Sequence, residues 1–198
     1  IPAKNEQGNI RPLVTEITQH TPPEVEFEII YVDDGSTDGT LSEIRELAND
    51  LPVCLRVVQH EKSMGQSTAI MTGVRYARYE WIITLDADGQ NDPADIPHFI
   101  EVAARQPIET DFCVAGYRKN RKDTAWKRLQ SRIANRVRQR LLHDETPDTG
   151  CGLKLIPRNT FLTLPYFDHM HRFLPALVKR LEGRVFVVEV NHRDRHCG

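Results

Sequence analysis

The sequence predicts an α/β domain in which a mostly parallel central sheet is flanked by helices. Short apolar runs of strand length alternate with segments whose apolar residues recur at helical spacing. The strand runs are apolar at nearly every position, which is typical of a parallel sheet that helices cover on both faces. A chain of 198 residues, 39% of them hydrophobic, matches one globular domain with a sizeable core.

Strands are predicted where β-branched, aromatic and other apolar residues form short continuous runs. The run FEIIYV is the first complete example, and WIITL is another. Ile1 and Pro2 are interpreted as the end of an earlier strand. In chain order the predicted strands cover residues 27–32, 53–59, 81–85, 112–115 and 185–190.

Helices are predicted between these strands. Leu41–Leu51 carries apolar residues at helical spacing, and Ser67–Arg78 has small residues on one side that suit close packing against a sheet. Pro93–Arg105 begins with proline, which is favoured at helix starts. Beyond residue 117 the alternation ends, and residues 118–143 are predicted to form one long basic helix.

Charge is divided unevenly along the chain, although the net charge is only −2. Residues 1–99 hold 7 Lys or Arg against 17 Asp or Glu, whereas residues 100–198 hold 19 against 11. The small net charge argues against a simple polyanion binder, and the asymmetry indicates two surfaces with different partners. No run approaches the roughly 18 apolar residues of a membrane span. The four cysteines lack zinc or CxxC spacing, so reduced thiols are expected.

The first of two acidic turns, residues 32–40 (VDDGSTDGT), follows a predicted strand. Ligands of open α/β sheets bind at the carboxyl ends of the strands. Asp34 is therefore a candidate to accept hydrogen bonds from a ribose or a base, and Asp38 is a candidate cap of the next helix. The alternative is a plain turn, since Asp, Gly and Ser favour turns in any case.

The second acidic turn, residues 84–90 (TLDADGQ), follows another buried strand. Asp86 and Asp88 are two residues apart, and paired carboxylates suit a hard divalent cation such as Mg²⁺ or Mn²⁺. The oxygens of a nucleoside diphosphate would complete the coordination. A D-x-D pattern occurs often by chance, but its place at a strand end, with a second acidic turn upstream, favours the metal interpretation.

A series of motifs together resembles the family 2 glycosyltransferases, and in particular the dolichol-phosphate mannosyltransferase-like branch that acts on polyprenyl phosphates. The resemblance spans essentially the whole chain, with the motifs in the expected order. It implies the GT-A fold, with a Rossmann-like, mostly parallel central sheet flanked by helices. The matching segments are IPAKNE (1–6), VDDGSTDGT (32–40), GQSTAIMTG (65–73), DADGQ (86–90), AGYR (115–118), DTGCG (148–152) and HRDR (192–195).

The resemblance implies roles for residues of the donor site. Three N-terminal residues would line the nucleotide pocket, two residues at the first acidic turn would hold the base or ribose, and the second acidic turn would contact the pyrophosphate and a Mg²⁺ or Mn²⁺ ion. The implied donor-site residues are Pro2, Lys4, Glu6, Val32, Asp34, Asp86, Ala87, Asp88 and Gln90, with Asp86, Asp88 and Gln90 around the metal.

The resemblance also implies an acceptor site for a lipid phosphate. Arg118 and Arg195 would bind phosphate, and the register of the family's basic motif gives Lys127 and Ser131, with Arg128 as the neighbouring candidate. Asp88, Arg118 and Asp148 are the catalytic candidates. Asp148 is interpreted either as a base or acceptor-positioning group, or simply as a turn residue.

The basic segment supports a membrane-facing surface. Residues 118–140 hold ten Lys or Arg and a single acid, with apolar residues at helical spacing, so the segment suits anionic lipid headgroups. A plain solvated helix is the alternative. Nucleic acid is not an expected partner, because aromatic residues make up only 7% of the chain and no recognition motif is present. The run DHMHR (168–172) suggests contacts with donor sugar or phosphate, or packing and capping.

Together these observations predict one catalytic domain with a nucleotide-sugar and metal half (1–117) and an acceptor and membrane-facing half (118–198), both ends being truncated. The predicted reaction is metal-dependent, inverting transfer of a sugar from a UDP- or GDP-linked donor to dolichyl or undecaprenyl phosphate at the cytoplasmic membrane face. A phosphate acceptor is already largely ionised at pH 7 and needs positioning more than deprotonation. A saccharide hydroxyl acceptor and a non-catalytic nucleotide-sugar-binding module remain alternatives, and a homodimer remains open.

Overall fold

The computed structural model describes residues 1–51, 53–107, 109–118 and 148–195. Seven strands and six α-helices are assigned within these ranges, with single 3-10 turns at Pro93–Asp95 and Met170–Arg172. The strands are β1 (Pro2–Ala3), β2 (Glu28–Asp33), β3 (Cys54–Gln59), β4 (Trp81–Thr84), β5 (Phe112–Tyr117), β6 (Lys154–Pro157) and β7 (Arg184–Glu189). The helices are α1 (Ile10–His20), α2 (Thr40–Asp50), α3 (Gln66–Tyr76), α4 (Ile96–Ala104), α5 (Arg158–Thr163) and α6 (Leu174–Arg180).

The strands form two sheets that share one core. β1, β2 and β3 are parallel, with Pro2 opposite Val32. The second sheet has the order β4-β6-β5-β7, in which β5 and β7 are parallel while β6 runs antiparallel to both of its neighbours. Below the short β1, an apolar cavity of about 610 Å³ lies between β2 and β4, lined by side chains such as Ile30 and Ile82.

Helices cover both faces of the sheets. Since successive residues of a strand point to opposite faces, neighbouring residues of one strand pack against different helices. On β5, Val114 packs with the cluster that contains α1, α2 and α4, whereas Cys113 and Ala115 pack with α3, α5 and α6. On β2, Tyr31 joins the first cluster, and Val32 packs with Ala69 of α3. This double cover explains why the strands are apolar at almost every position.

The predicted elements agree with the structure to within about two residues at most of their ends, and four elements were not predicted: α1, β6 and the short helices α5 and α6. Helix α1 was missed although its sequence carries start signals: Asn9 lies at its N-cap position and Pro12 in its first turn, and its buried residues Ile10, Leu13, Val14 and Ile17 recur at helical spacing. Strand β6 was missed because it has only four residues, begins with a lysine and ends with a proline. Of the predicted helix 118–143, all but residue 118 lies outside the described residues.

The segment after β7 crosses back to the N-terminal half. The guanidinium of Arg193 donates two hydrogen bonds to the carboxylate of Glu16 on α1, at 3.1 and 2.7 Å. His192 forms an isolated β-bridge with Asn91, and Asn191 donates to Asp92. These contacts hold the segment that carries Arg195 next to the second acidic turn.

Two further features bear on the sequence predictions. In the described part of the chain, no helix has the length and apolar character that crossing a bilayer requires. Among the described cysteines, Cys54 is exposed, Cys113 and Cys151 are buried, and no disulfide links them.

Gly183, between α6 and β7, is a test of close backbone packing. A Cβ there would lie 2.7 Å from the carbonyl oxygen of Asp111 and 2.7 Å from Cγ1 of Val178, so the Gly183→Ala variant is expected to lose about 1–3 kcal/mol of unfolding free energy. In Gly73→Ala the new Cβ meets Val32 at an ordinary 3.4 Å, and a gain of about 0.5–1 kcal/mol is expected because alanine favours helix. Urea unfolding measures the unfolding free energy of both variants. An equal change in the two variants would contradict the close packing at Gly183.

Candidate functional site

A cleft of about 430 Å³ lies at the carboxyl ends of β1, β2 and β4, where sequence reasoning places a ligand. The loop before α3, the turn after β4, the turn 149–152 and the segment around His171 complete its walls. Most of the predicted donor-site residues line this cleft, together with one predicted acceptor residue. They are Pro2, Lys4, Glu6, Asp34, Asp86, Ala87, Asp88 and, from the acceptor set, Arg195.

Two predicted donor-site residues have side chains outside the cleft lining. Val32 is buried against Ala69 of α3, because the alternation of strand β2 turns its side chain away from the cleft. Gln90 lies in the turn beside the cleft: its N–H donates to Asp88 at 3.1 Å, and its carbonyl accepts from the N–H of Arg193 at 3.1 Å. The roles of Val32 at the base or ribose and of Gln90 at the metal stay predictions.

Asp34 organises the loop before α3. Its two carboxylate oxygens accept four hydrogen bonds, from His60 Nδ1, Ser63 Oγ and the backbone N–H groups of Met64 and Gly65, at 2.8–2.9 Å. Burial alone would raise the pKa of Asp34, but these bonds to the charged form outweigh it, and the pKa lies below its usual value. Asp34 therefore shapes the cleft wall through the loop, in addition to lining the cleft.

Asp86 and Asp88 form the acidic centre of the cleft. Asp86 accepts a hydrogen bond from Gln66 Nε2 at 2.8 Å, and Asp88 lies 3.3 Å from the guanidinium Nε of Arg195. Burial, followed by the neighbouring charge of Asp88, raises the pKa of Asp86, while Lys154 and other groups oppose that shift. A bound cation would stabilise the charged form of Asp86 and so offset this rise in its pKa. Mg²⁺ and Mn²⁺ are typically bound by one or two carboxylates together with substrate phosphates.

The turn 149–152 approaches Asp86 so closely that position 152 requires glycine. A Cβ on Gly152 would lie 2.2 Å from Oδ2 of Asp86 and 2.7 Å from Oδ1 of Asn91. The same Asn91 oxygen accepts the backbone N–H of Asp86 at 2.9 Å. The absence of a side chain at position 152 therefore leaves the space that the Asp86 carboxylate occupies.

Arg118 and Asp148, two of the predicted catalytic residues, form a bidentate ion pair. Arg118 Nε lies 2.6 Å from Oδ2 of Asp148, and Nη2 lies 2.9 Å from Oδ1. Both side chains are 9% exposed, and neither lines the cleft. Burial would lower the pKa of Arg118, but the bonds to Asp148 outweigh this and raise it. A carboxylate held in this way is a poor general base, and the guanidinium that holds it is not available to a phosphate in this state.

The remaining acceptor candidates divide into two groups. Arg195 lines the cleft beside Asp88. Lys127, Arg128 and Ser131 lie outside the described residues, as does most of the basic segment, and their roles stay predictions.

His171 is a cleft residue that the sequence indicated only weakly. Its Nδ1 lies 2.8 Å from the hydroxyl of Ser67. Burial, helped by the charges of Lys154 and Arg172, lowers the pKa of His171 to about 4, so the ring is neutral at pH 7. The neighbouring Asp168 and His169 are exposed, and no group of three or more potential metal ligands forms within the described residues.

Two cleft residues were missed as individual candidates. Gln66 orients Asp86, and it lies in the GQSTAIMTG segment that was noted only as a motif. Lys154 begins β6 and is buried in the cleft wall, and its signal was a lysine two residues after the glycine-rich DTGCG segment. Both depend on contacts between distant parts of the chain, which spacing along the sequence does not reveal.

The hydrogen bonds of Asp34 predict a pH-dependent contribution to stability. Because its folded pKa is depressed, the contribution is complete above the unfolded pKa of about 4 and is lost as the pH falls through the folded value. At pH 7 the Asp34→Asn variant is expected to be roughly 2–4 kcal/mol less stable than the wild type, and the gap should close below pH 4. Urea unfolding across pH 3–7 tests this. The control is Asp50→Asn, whose side chain is 60% exposed, and a gap independent of pH would contradict the assignment.

The Gly152→Ala variant tests the placement of Asp86. The new Cβ displaces the Asp86 carboxylate, so we expect Mn²⁺ affinity in the presence of a nucleoside diphosphate to fall by about 10- to 100-fold. Gly150→Ala is a matched control in the same turn, because its Cβ would contact Arg118 at a milder 3.2 Å. Calorimetric titration measures both variants, and an unchanged affinity in Gly152→Ala would show that Asp86 does not hold the ion.

Comparison with known proteins is consistent with this geometry. Residues 1–163 match the family described as Glycosyl transferase family 2. A dodecaprenyl-phosphate galacturonate synthase from Rhizobium johnstonii is 33% identical over the whole of this chain, which covers 59% of that protein. An undecaprenyl-phosphate 4-deoxy-4-formamido-L-arabinose transferase from Serratia proteamaculans is 34% identical over the whole chain, which covers 60% of it. The chain thus spans about three fifths of the length of these curated relatives.

Solved structures show the same fold. Glucosyl-3-phosphoglycerate synthase from Mycobacterium tuberculosis, in complex with Mn²⁺, UDP and phosphoglyceric acid, superposes with a TM-score of 0.72 at 21% identity, covering 98% of this chain and 69% of that one. A mannosyltransferase from Pyrobaculum calidifontis with GDP-Man and Mn²⁺ gives a TM-score of 0.71 at 21% identity, covering 95% and 53%. The fold is the predicted GT-A fold. With a family match over most of its length and relatives above 30% identity, the chain belongs to glycosyltransferase family 2.

Proposed function

We propose that this chain is the catalytic domain of a metal-dependent, inverting glycosyltransferase that moves a sugar from a nucleoside-diphosphate sugar to a polyprenyl phosphate. The observation that carries the proposal is the paired carboxylates Asp86 and Asp88, which lie at a strand end in a cleft of about 430 Å³. The two relatives above, both named as enzymes that join a sugar to a polyprenyl phosphate, support the acceptor class.

On the donor side, Asp86 and Asp88 would hold Mg²⁺ or Mn²⁺, and the ion would offset the negative charge that develops on the leaving diphosphate. The residues present fit such an ion, because the pKa of Asp86 is raised by burial and by Asp88, a state that a cation relieves. Complexes of structural neighbours with Mn²⁺ and a nucleotide support the same assignment. Pro2, Lys4 and Glu6 form the wall that the nucleotide would face.

On the acceptor side, a phosphate monoester has a second pKa near 6 and enters the reaction already ionised. It requires cations that orient it rather than a base that removes a proton. This suits the engagement of Asp148 by Arg118, which leaves that carboxylate poorly placed to accept a proton. Among the described cations that line the cleft, we assign Arg172 and Arg195 to the acceptor phosphate.

The proposed acceptor chemistry also favours a location at a membrane. A polyprenyl phosphate exposes its headgroup at the bilayer surface, so a domain that uses it works there. The basic segment 118–140 has the charge to contact anionic headgroups. We propose the cytoplasmic face, where nucleotide sugars are available.

The proposal predicts transfer that depends jointly on metal, donor and lipid phosphate. The whole protein is incubated with Mn²⁺, a panel of UDP- and GDP-sugars and a short-chain polyprenyl phosphate in detergent. Nucleoside diphosphate should be released only when the lipid phosphate is present. The Asp88→Asn variant should lose at least about 100-fold in rate, since the metal contributes several kcal/mol. Asp50→Asn on the exposed end of α2 is the matched control.

Three outcomes of the same assay would contradict the proposal. Donor binding without release under any condition would favour a non-catalytic nucleotide-sugar-binding module. Release with a saccharide hydroxyl but not with the lipid phosphate would favour the other acceptor class. Loss of transfer in Asp148→Asn with intact acceptor binding would show that Asp148 acts as a base, against the positioning argument.

A further inference from the structure

Lys154 is a buried cation that the proposed mechanism does not yet use. It is the first residue of β6 and lies opposite Thr84, the last residue of β4. Because β6 runs antiparallel, its beginning meets the carboxyl end of β4, directly beside the turn that carries Asp86. Cross-strand partners share one face of the sheet, and both Thr84 and Lys154 line the cleft. The lysine is only 3% exposed.

The ammonium of Lys154 is held by carbonyl groups rather than by a carboxylate. Its Nζ donates to the carbonyl oxygen of Cys151 and to that of Thr149 at 3.4 Å. Among the described residues, no carboxylate forms an ion pair with it. An ammonium has three N–H donors, so the two carbonyls leave one for a further acceptor.

A buried ammonium without a paired carboxylate is costly, because carbonyl dipoles only partly replace its hydration. An apolar side chain of similar length would avoid that cost at this position. The charge nevertheless acts on the cleft: it opposes the rise in the pKa of Asp86 and contributes to the low pKa of His171. Its electrostatic field therefore extends to two residues that line the cleft.

We propose that Lys154 is an anion-binding residue of the cleft, whose free N–H donates to a phosphate oxygen of the nucleoside diphosphate held beside Asp86 and Asp88. This rests on the proposed function. The two carbonyl groups fix the ammonium before the ligand arrives, and a preorganised donor needs no rearrangement as charge develops on the leaving group. Lysine suits this role because it is a compact point charge that binds phosphate without demanding a planar geometry.

The test compares Lys154→Met with Lys179→Met, a lysine of α6 outside the cleft lining. Calorimetric titrations with Mn²⁺ use UDP, GDP, inorganic pyrophosphate and, as a neutral probe, the nucleosides uridine and guanosine. Lys154→Met should weaken binding of the three diphosphates by roughly 10- to 100-fold and leave nucleoside binding unchanged. Lys179→Met should match the wild type, and Lys154→Arg should recover part of the loss.

Several outcomes would overturn the inference or separate it from the proposed function. Diphosphate affinity in Lys154→Met equal to that of the wild type would overturn it, as would parallel losses for diphosphates and nucleosides, which indicate a merely structural role. A wild-type protein that binds no nucleoside diphosphate with Mn²⁺ would instead overturn the proposed function.

A second measurement covers the case in which the Lys154→Met variant does not fold. The wild-type protein is labelled with ¹⁵N at its lysine side chains and titrated with Mg²⁺ and pyrophosphate. The signal of Lys154, identified by its absence in the Lys154→Arg variant, should shift on saturation. A lysine signal that stays in place while the ligand binds would overturn the inference.

Discussion

The close approach of two carboxylates, the half-buried Asp86 and the buried Asp88, is the constraint around which the cleft is organised. Asp86 and Asp88 share one short turn, and burial raises the pKa of Asp86. The surrounding groups all reduce that cost: Gln66 donates to Asp86, Arg195 lies beside Asp88, and Lys154 supplies positive charge from the neighbouring strand. An acidic centre that is almost balanced, with room for one more cation, is what a metal–diphosphate ligand requires.

The parts of the fold that depend on local sequence were predictable, and those that depend on distant contacts were not. Strands β2 and β5 were found because burial on both faces makes them largely apolar, and β3, β4 and β7 were found because each keeps a short run of apolar residues although parts of it are exposed. The orientation of β6 depends on its neighbours, and four residues carry no signal for it. Likewise, the side-chain direction of Val32 follows from strand alternation, but the face that α3 covers becomes apparent only in the folded chain. The Arg118–Asp148 pair joins residues that spacing alone would leave independent.

The cations in and around the site fall into two groups, those paired with a carboxylate of the protein and those without such a pair. Some are committed to carboxylates of the protein, as Arg118 is to Asp148 and Arg193 is to Glu16, and these set the positions of turns and segments. Others are held without such a partner, as Lys154 is by two carbonyl groups, and these remain able to meet an anion. The proposed reaction, which would handle a diphosphate and a lipid phosphate, would use both kinds.

The contact between Arg193 and Glu16 joins residues 177 positions apart and holds the C-terminal segment against α1. Closing so long a loop is entropically unfavourable until the intervening elements have packed. The edge of the cleft that carries Arg195 therefore rests on a contact that contributes little until the intervening elements have packed. A ligand that binds at this edge would stabilise the contact, and through it the packing of the C-terminal segment on α1.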